Sequence, residues 1–312
     1  MSHTYAENPR ILSARETLKQ TNENISQAHS NFLPNLSASR SYGRTNTRTV
    51  EDRNSSGSVT RTDTLSLSQN IFNYSHIAQL KKADREVGAQ RMRLQASEQD
   101  ILLQAITSYI DVLKALNVID LRHSNMKVMQ AHLKSTKIQY ELRRRTNTDL
   151  AQAKSRLAKG RADLASAQAT YDKSRSKFMQ VNGYYPQQLK MPSFKYKLPE
   201  SPDEAQENAL SDHPNVWAAS LDVDAARAEI SVKQGERAPN LALSGSVAKA
   251  NTMNKSSANS DTLTSAVTLT LTVPLFQSGV EYSNVRTANT GLRQKLYDLD
   301  QARRTAKDNA RQ

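Results

Sequence analysis

The chain has 312 residues, of which 37% are hydrophobic and 5% aromatic, with a mean hydropathy of −0.70, too little apolar material for a thick globular core. The absence of cysteine excludes a disulfide framework and a thiolate metal site. A formal net charge of +13 invites an anionic partner, but Lys and Arg are spread along the chain and not gathered in one block, which is the pattern of solvated faces on long helices.

The N-terminal segment Met1-Ser2-His3-Thr4-Tyr5 lacks the basic and then apolar order of a secretory signal, so the chain is read as cytosolic or as lacking its signal. Residues 9–32 follow as a helix: Pro9 suits a first turn, and Ile11, Leu12, Leu18 and Ile25 form a partial stripe that Pro34 ends. Beyond it Leu36, Ala38 and Tyr42 alternate with Ser37, Ser39 and Ser41, a strand pattern that Arg40 interrupts. Residues 43–61 read as a polar loop. Leu65, Leu67 and Ile71 then resume the alternation against Ser66, Ser68 and Asn70.

Residues 75–142 contain no proline and read as one helix, which at about 1.5 Å per residue spans roughly 100 Å. Leu102, Ile106, Tyr109, Leu113 and Leu116 form a stripe at helical spacing, and Val87, Leu94 and Ile101 recur at sevens, a coiled-coil register. No uninterrupted apolar run reaches the roughly 18 residues of a transmembrane helix. Arg143, Arg144, Arg145, Thr146, Asn147, Thr148 and Asp149 break the stripe and predict a tight connection between antiparallel helices. The second helix covers 149–181, with Asn182-Gly183 as its cap. Residues 184–202, with four prolines, are extended.

The plan then repeats. Pro9 and Pro214 are 205 positions apart, as are Pro34 and Pro239; Thr64 and Thr268 are 204 apart. A helix over 203–236, broken near His213-Pro214, leads to a strand in which Leu241, Leu243 and Val247 alternate with Ala242, Ser244 and Ser246. A polar loop over 249–261 precedes Leu263, Val267, Leu269, Leu271, Val273 and Leu275, set against Thr264, Ala266, Thr268, Thr270 and Thr272. A last helix starts near Glu281. The domain reading is therefore a first repeat over 1–185, a linker over 186–202 and a second repeat over 203–312, whose helical segment is expected to be cut short after Phe276.

The strands carry the sharpest chemistry. One face is Leu, Ile and Val and the other Ser and Thr, over about 8–13 residues, the pattern of a transmembrane barrel strand. In lipid every backbone polar group must be paired within protein, so a sheet there has to close, and four strands cannot close alone. Several copies are therefore expected to pool their strands. Ser37, Ser39, Ser66, Ser68, Ser244, Ser246, Thr268, Thr270 and Thr272 are assigned to the lumen, and Leu65, Leu67, Leu269, Leu271 and Val273 to lipid.

The stretches Asn8-Pro9, 32–36 (Phe-Leu-Pro-Asn-Leu), 65–72 (Leu-Ser-Leu-Ser-Gln-Asn-Ile-Phe), 109–113, 148–153 and 273–276 stand in the order found in the TolC family of bacterial outer-membrane efflux and secretion channels, which the chain resembles over nearly its whole length. The resemblance implies long coiled-coil hairpins forming an α-barrel, joined to a four-strand contribution to a twelve-stranded transmembrane barrel in a homotrimer. It implies an outer-membrane location with a periplasmic extension, and partners in outer-membrane lipid, a periplasmic adaptor and an inner-membrane pump. Substrates, drugs or proteins, would pass through passively. It places the adaptor contact and closable entrance at Arg143 to Asp149, with Asp149 at a position where polar bonds between helices hold the entrance shut. It also implies a second helical hairpin, missing from this chain on that reading. The family usually has Gly where this chain has Arg143.

An alternative is a soluble basic coiled-coil protein that binds nucleic acid or a structural partner; on the channel reading no nucleic acid is expected. Nothing points to an enzyme: His3, His29, His76, His123, His132 and His213 make no ligand motif, and there is no nucleophile elbow or phosphate-binding glycine loop. No cofactor is expected.

Overall fold

A computed structural model describes residues 2–48, 55–187, 189–191, 199–254 and 258–311, and among them are eleven elements, in the order read from the sequence after a short first helix that the sequence pattern does not predict. They are α1 (Ser2–Glu7), α2 (Pro9–Ser30), β1 (Asn35–Arg48), β2 (Ser55–Asn73), α3 (Tyr74–Glu141), α4 (Asn147–Asn182), α5 (Pro202–Asp212), α6 (Pro214–Gly235), β3 (Asn240–Asn254), β4 (Ser260–Thr272) and α7 (Val280–Arg311). The repeat is visible in the bounds: α2 and α6 have 22 residues each, and each is followed after a short turn by a strand opening on Asn. Two compact units form, Met1–Thr17 with Arg93–Ser201 and Leu18–Met92 with Pro202–Gln312.

The first unit is a helical hairpin. Its buried α3 positions include Ile101, Ala105, Ser108, Val112 and Ala115, with Ala96 and Thr136 beyond them; on α4 they are Ala153, Leu157, Gly160, Ala167, Phe178 and Asn182. From Ile101 to Ala115 the intervals alternate between four and three, and on α4 they are four, three, seven, eleven and four, each a three, a four or a sum of these, which keeps each set on one seam as in a left-handed coiled coil. The expected stripe of Leu102, Ile106, Tyr109, Leu113 and Leu116 lies one residue off this seam and is only half-buried. Small residues (Ala105, Ser108, Ala115, Ala153, Gly160, Ala167) alternate in the seam with Ile101, Val112, Leu157 and Phe178, so the backbones approach closely between the larger side chains. Contrary to the expectation from uninterrupted runs, α3 contains one stretch apolar enough by length and composition to cross a membrane.

A buried polar cluster closes the base of the hairpin. The Thr4 hydroxyl donates to Asn182 Oδ1 (2.8 Å), and Asn182 Nδ2 donates to Ser108 Oγ (3.2 Å) and to the Phe178 carbonyl (3.1 Å). Asn8 Nδ2 donates to the Val181 carbonyl (2.8 Å). Thr4 and Ser108 are fully buried, so each bond made here avoids a desolvation cost of about 1–3 kcal/mol. The predicted cap at Gly183 forms, in the left-handed region with φ 82°. The linker is pinned by Tyr109, whose hydroxyl donates to the Lys190 carbonyl (2.7 Å) and accepts from the Lys190 N–H (2.8 Å).

In the second unit α6 and α7 bury Val216, Val223, Leu299 and Ala306. The predicted break falls at His213, whose Nδ1 caps α6 by accepting from the Asn215 N–H (3.2 Å) ahead of Pro214. Lys82 of α3 reaches Glu229 of α6 (3.0 Å). Burial works to lower the Lys82 pKa, but the bonds and charges of Glu229 and Glu86 outweigh it and hold the ammonium above its ordinary value. Gln69 Nε2 donates to the Phe32 carbonyl (3.1 Å) and Asn70 Nδ2 to the Asn31 carbonyl (3.3 Å), fixing β2 against the α2–β1 turn.

The strands run longer than the hydropathy pattern. Residues 43–48 and 55–61, expected as loop, continue β1 and β2, and 249–254 continue β3. The backbone ladder continues through Tyr42↔Arg61 and Arg44↔Val59 after the apolar alternation stops. At the other end β4 stops at Thr272, so Val273 and Leu275 lie past the strand.

Candidate functional site

Two features can carry function: the sheet and the turn between α3 and α4. The sheet is an antiparallel meander in the order β1-β2-β3-β4, which leaves β1 and β4 as edges. Directly opposed residues share a face. Ser37↔Ser66↔Ser246↔Ala266 makes one row and Asn35↔Ser68↔Ser244↔Thr268 another. Ser39 pairs with Thr64, Ala242 with Thr270 and Asn240 with Thr272 on the same face. All nine hydroxyl residues named from the sequence are thus brought to one side.

The other side carries the rows Leu36↔Leu67↔Gly245↔Val267 and Ala38↔Leu65↔Val247↔Ser265, with Leu243↔Leu269 and Leu241↔Leu271. A register shift between Asn70 and Phe72 returns Phe72 to the leucine side opposite Leu241. Val273 falls outside the strands, so the register assigns it no face. Nothing among the described residues covers the leucine side: Val267 is 82% exposed, Leu271 64% and Leu36 67%. A contiguous apolar surface of this kind marks a contact with lipid or protein, and two open edges are a template for strand pairing with further copies.

The turn holds the other named residues. Arg143 sits in the left-handed region at φ 59°. Its N–H donates to the Tyr140 carbonyl (2.9 Å) and the Arg144 N–H to the Gln139 carbonyl (2.8 Å), a Schellman ending for α3. The Arg145 Nε donates to Gln139 Oε1 (3.1 Å). Thr146 caps α4 reciprocally with Asp149: the Asp149 N–H donates to the Thr146 hydroxyl (3.2 Å), and Asp149 Oδ2 accepts from the Thr146 N–H (3.0 Å) and hydroxyl (2.9 Å). Those bonds, backbone first, and the nearby Arg145 hold the Asp149 carboxyl below the usual carboxylate range. Asn147 and Thr148 are exposed in the first turn of α4. Asp149 is thus tied within its own helix end, a local bond that the family resemblance did not supply.

A non-glycine residue in the left-handed region costs about 1–2 kcal/mol. Arg143→Gly is therefore expected to stabilise the hairpin by about 1 kcal/mol, read as a rise in the thermal midpoint by circular dichroism, with Arg143→Ala giving no such rise.

Among the described residues no cluster of His, Cys, Asp and Glu could hold a metal ion.

A duplicated helix-and-strand plan with this sheet is the architecture of the outer-membrane channels. The fold superposes on the solved channel CusC with a TM-score of 0.83 at 15% identity, covering 98% of this chain and 72% of that one. On VceC of Vibrio cholerae the TM-score is 0.80 at 16% identity, over 97% and 74%. The chain belongs to the outer membrane efflux protein family, whose family model matches residues 1–183 and 205–312. It is 27% identical over 297 residues to the outer membrane efflux protein BepC of Brucella suis, covering 95% of this chain and 64% of BepC. It is 24% identical over 311 residues to the outer membrane protein TolC of Escherichia coli, covering 96% and 63%, and 24% identical over 284 residues to the alkaline protease secretion protein AprF of Pseudomonas aeruginosa, covering 86% and 58%. The chain spans less than two thirds of the length of these relatives. The alternative of a soluble nucleic-acid-binding coiled coil finds no support in these comparisons.

Proposed function

We propose that this chain supplies part of the wall of an outer-membrane exit duct, through which drugs or proteins leave the periplasm in a tripartite efflux or type I secretion system. The observation that carries the reading is a four-stranded sheet with an uncovered leucine side, a hydroxyl side and two open edges. Three copies joined edge to edge would make a twelve-stranded barrel, within the range that outer-membrane barrels use. The leucine side, with Leu65, Leu67, Leu269 and Leu271, then meets lipid, whereas Val273, past the end of β4, is left out of that assignment. The serine and threonine side then lines water. The turn from Arg143 to Asp149 is the surface offered to a periplasmic adaptor, and an inner-membrane pump supplies the driving force. The duct itself solvates its cargo and does no covalent chemistry. The name of the relative AprF, a protease secretion protein, favours protein cargo for some members of this family.

The test is a paired cysteine series in the membrane-inserted protein. Cysteines at Ser66 and Thr270 are expected to react with a membrane-impermeant thiol reagent, and cysteines at Leu67 and Leu271 to resist it. Equal labelling of both pairs would remove the barrel reading.

A further inference from the structure

The charges of the sheet are distributed by face. Arg40, Arg44, Arg61, Asp63, Lys249 and Asp261 all take the leucine side by register, and none of the opposed residues on the hydroxyl side from Asn35 to Thr45 and their partners is charged. The charges are also graded along the strands. Two apolar rows, Leu36↔Leu67↔Gly245↔Val267 and Ala38↔Leu65↔Val247↔Ser265, are followed towards the hairpin ends by Arg40↔Asp63↔Lys249↔Leu263 and Tyr42↔Arg61↔Asn251↔Asp261, and then by Arg44↔Val59↔Met253. Successive rows on one face are about 6.8 Å apart along a strand. The change from apolar to charged is thus made in a single step.

We propose that these rows form a phosphate-binding rim on the outward side of the wall, where Arg40, Arg44, Arg61 and Lys249, flanked by Tyr42, hold the phosphates of anionic lipid headgroups. This rests on the reading that the leucine side meets lipid. A charge on the lipid side costs about 2–4 kcal/mol at mid-bilayer and about 0–1 kcal/mol near the interface. The basic rows therefore belong at the headgroups, where an exposed Tyr42 also fits as an interfacial aromatic.

The local bonds leave positive charge over. Asp63 holds both Arg40 and Arg61, the latter at 3.1 Å, and Arg61 also lies over the Tyr42 ring at 5.9 Å. Asp261 accepts from Asn251 Nδ2 (2.6 Å). Among the described residues of these rows, four cations thus face two carboxylates that are already engaged. Neither Arg44 nor Lys249 makes an ion pair among the described residues. Guanidinium forks match phosphate oxygens in pairs. A free anion in solution would need no adjoining leucine rows; a lipid uses both.

The experiment compares retention of the full chain on phosphatidylcholine vesicles with and without phosphatidylglycerol. The Arg44→Gln/Lys249→Gln variant removes only the two cations without an ion pair, and an unchanged thermal melt shows that it folds. The intact chain is expected to prefer the anionic vesicles, and the variant to lose about thirtyfold of that preference, since each cation near an anionic surface contributes about fivefold. Lys134→Gln/Lys137→Gln, on α3, is expected to leave the preference in place. An unchanged preference in the sheet variant overturns the rim while the wall reading stands. Loss of the preference in inorganic phosphate at constant ionic strength assigns the site to free anions and overturns the lipid. Absence of insertion into either vesicle overturns the wall reading and the rim with it.

Discussion

Leu67→Arg is expected to abolish most membrane insertion, while Ser66→Arg, one residue away, is expected to insert normally. Leu67 stands in the middle of the apolar rows, opposite Leu36 and Gly245. An arginine at mid-bilayer on the lipid side of a barrel costs about 2–4 kcal/mol per strand, a factor of roughly thirty to a thousand in each chain. The cost multiplies if copies assemble. Sterics do not confuse the result: Gly245 has no side chain, and a Cβ placed on it would still lie 3.9 Å from the Leu67 Cβ. A long side chain at 67 therefore has room, and the experiment reads solvent, not packing. Ser66 lies between Ser37 and Ser246, where an added guanidinium remains hydrated. The measurement is the fraction of chain that floats with lipid vesicles after dilution from denaturant. The opposite order, with Ser66→Arg excluded and Leu67→Arg inserted, would turn the sheet inside out.

That pair also shows what the sequence reveals about the sheet and what it conceals. The parity of Ser and Leu could be read directly because side chains alternate strictly along a strand, and one correct residue fixes every other. The ends of the strands could not. Hydropathy marks where one face meets an apolar solvent, whereas the ladder of backbone bonds continues as long as a partner strand runs alongside, here through Arg44↔Val59 and Ala250↔Thr262. The segregation of charge was present in the sequence as well, since Arg40, Asp63 and Lys249 share parity with their leucines. It acquires meaning only when those residues are known to be strand and not loop.

The helices show the same division. Their existence followed from the lack of proline and from spacing, and their bounds from His213-Pro214 and Gly183. The heptad of Val87, Leu94 and Ile101 meets the buried seam at Val87 and Ile101, whereas the apolar stripe from Leu102 to Leu116 flanks it, because Ala105, Ser108, Ala115 and Gly160 in the seam carry little hydropathy signal. The cluster of Thr4, Ser108 and Asn182 joins residues up to 178 positions apart and has no local signal. At the turn the family resemblance implied Gly, and the structure holds Arg143 there in the left-handed conformation that glycine favours. The bond between Asp149 and Thr146 is a helix cap whose Thr-x-x-acid spacing was there to be read.

Gly235→Ala is expected to be among the most damaging single-methyl additions to the helices. Gly235 ends α6 where that helix meets the start of α3. A Cβ there would stand 2.6 Å from the Ser75 amide nitrogen, 2.8 Å from its Cα and 2.9 Å from Tyr74 Cδ1. Two of those three atoms are backbone and cannot rotate away, so the added carbon must separate the helices at the point from which β2 enters α3 and β3 leaves α6. Overpacking of this kind costs about 1–3 kcal/mol, and here it also moves Lys82 away from Glu229, whose ion pair joins the same two helices. Two glycines serve as controls. At Gly160 the clash is with the Met129 sulfur (2.7 Å), on a flexible side chain that can swing aside, and at Gly88 the nearest atom is Leu221 Cδ1 at 3.3 Å. Alanine at either is expected to be near neutral or slightly stabilising, because it removes helical glycine. Thermal melting of the three variants by circular dichroism should therefore place Gly235→Ala well below both others. Equal midpoints would mean that the α3–α6 contact yields without cost, and that the sheet is not held to the helices at this junction.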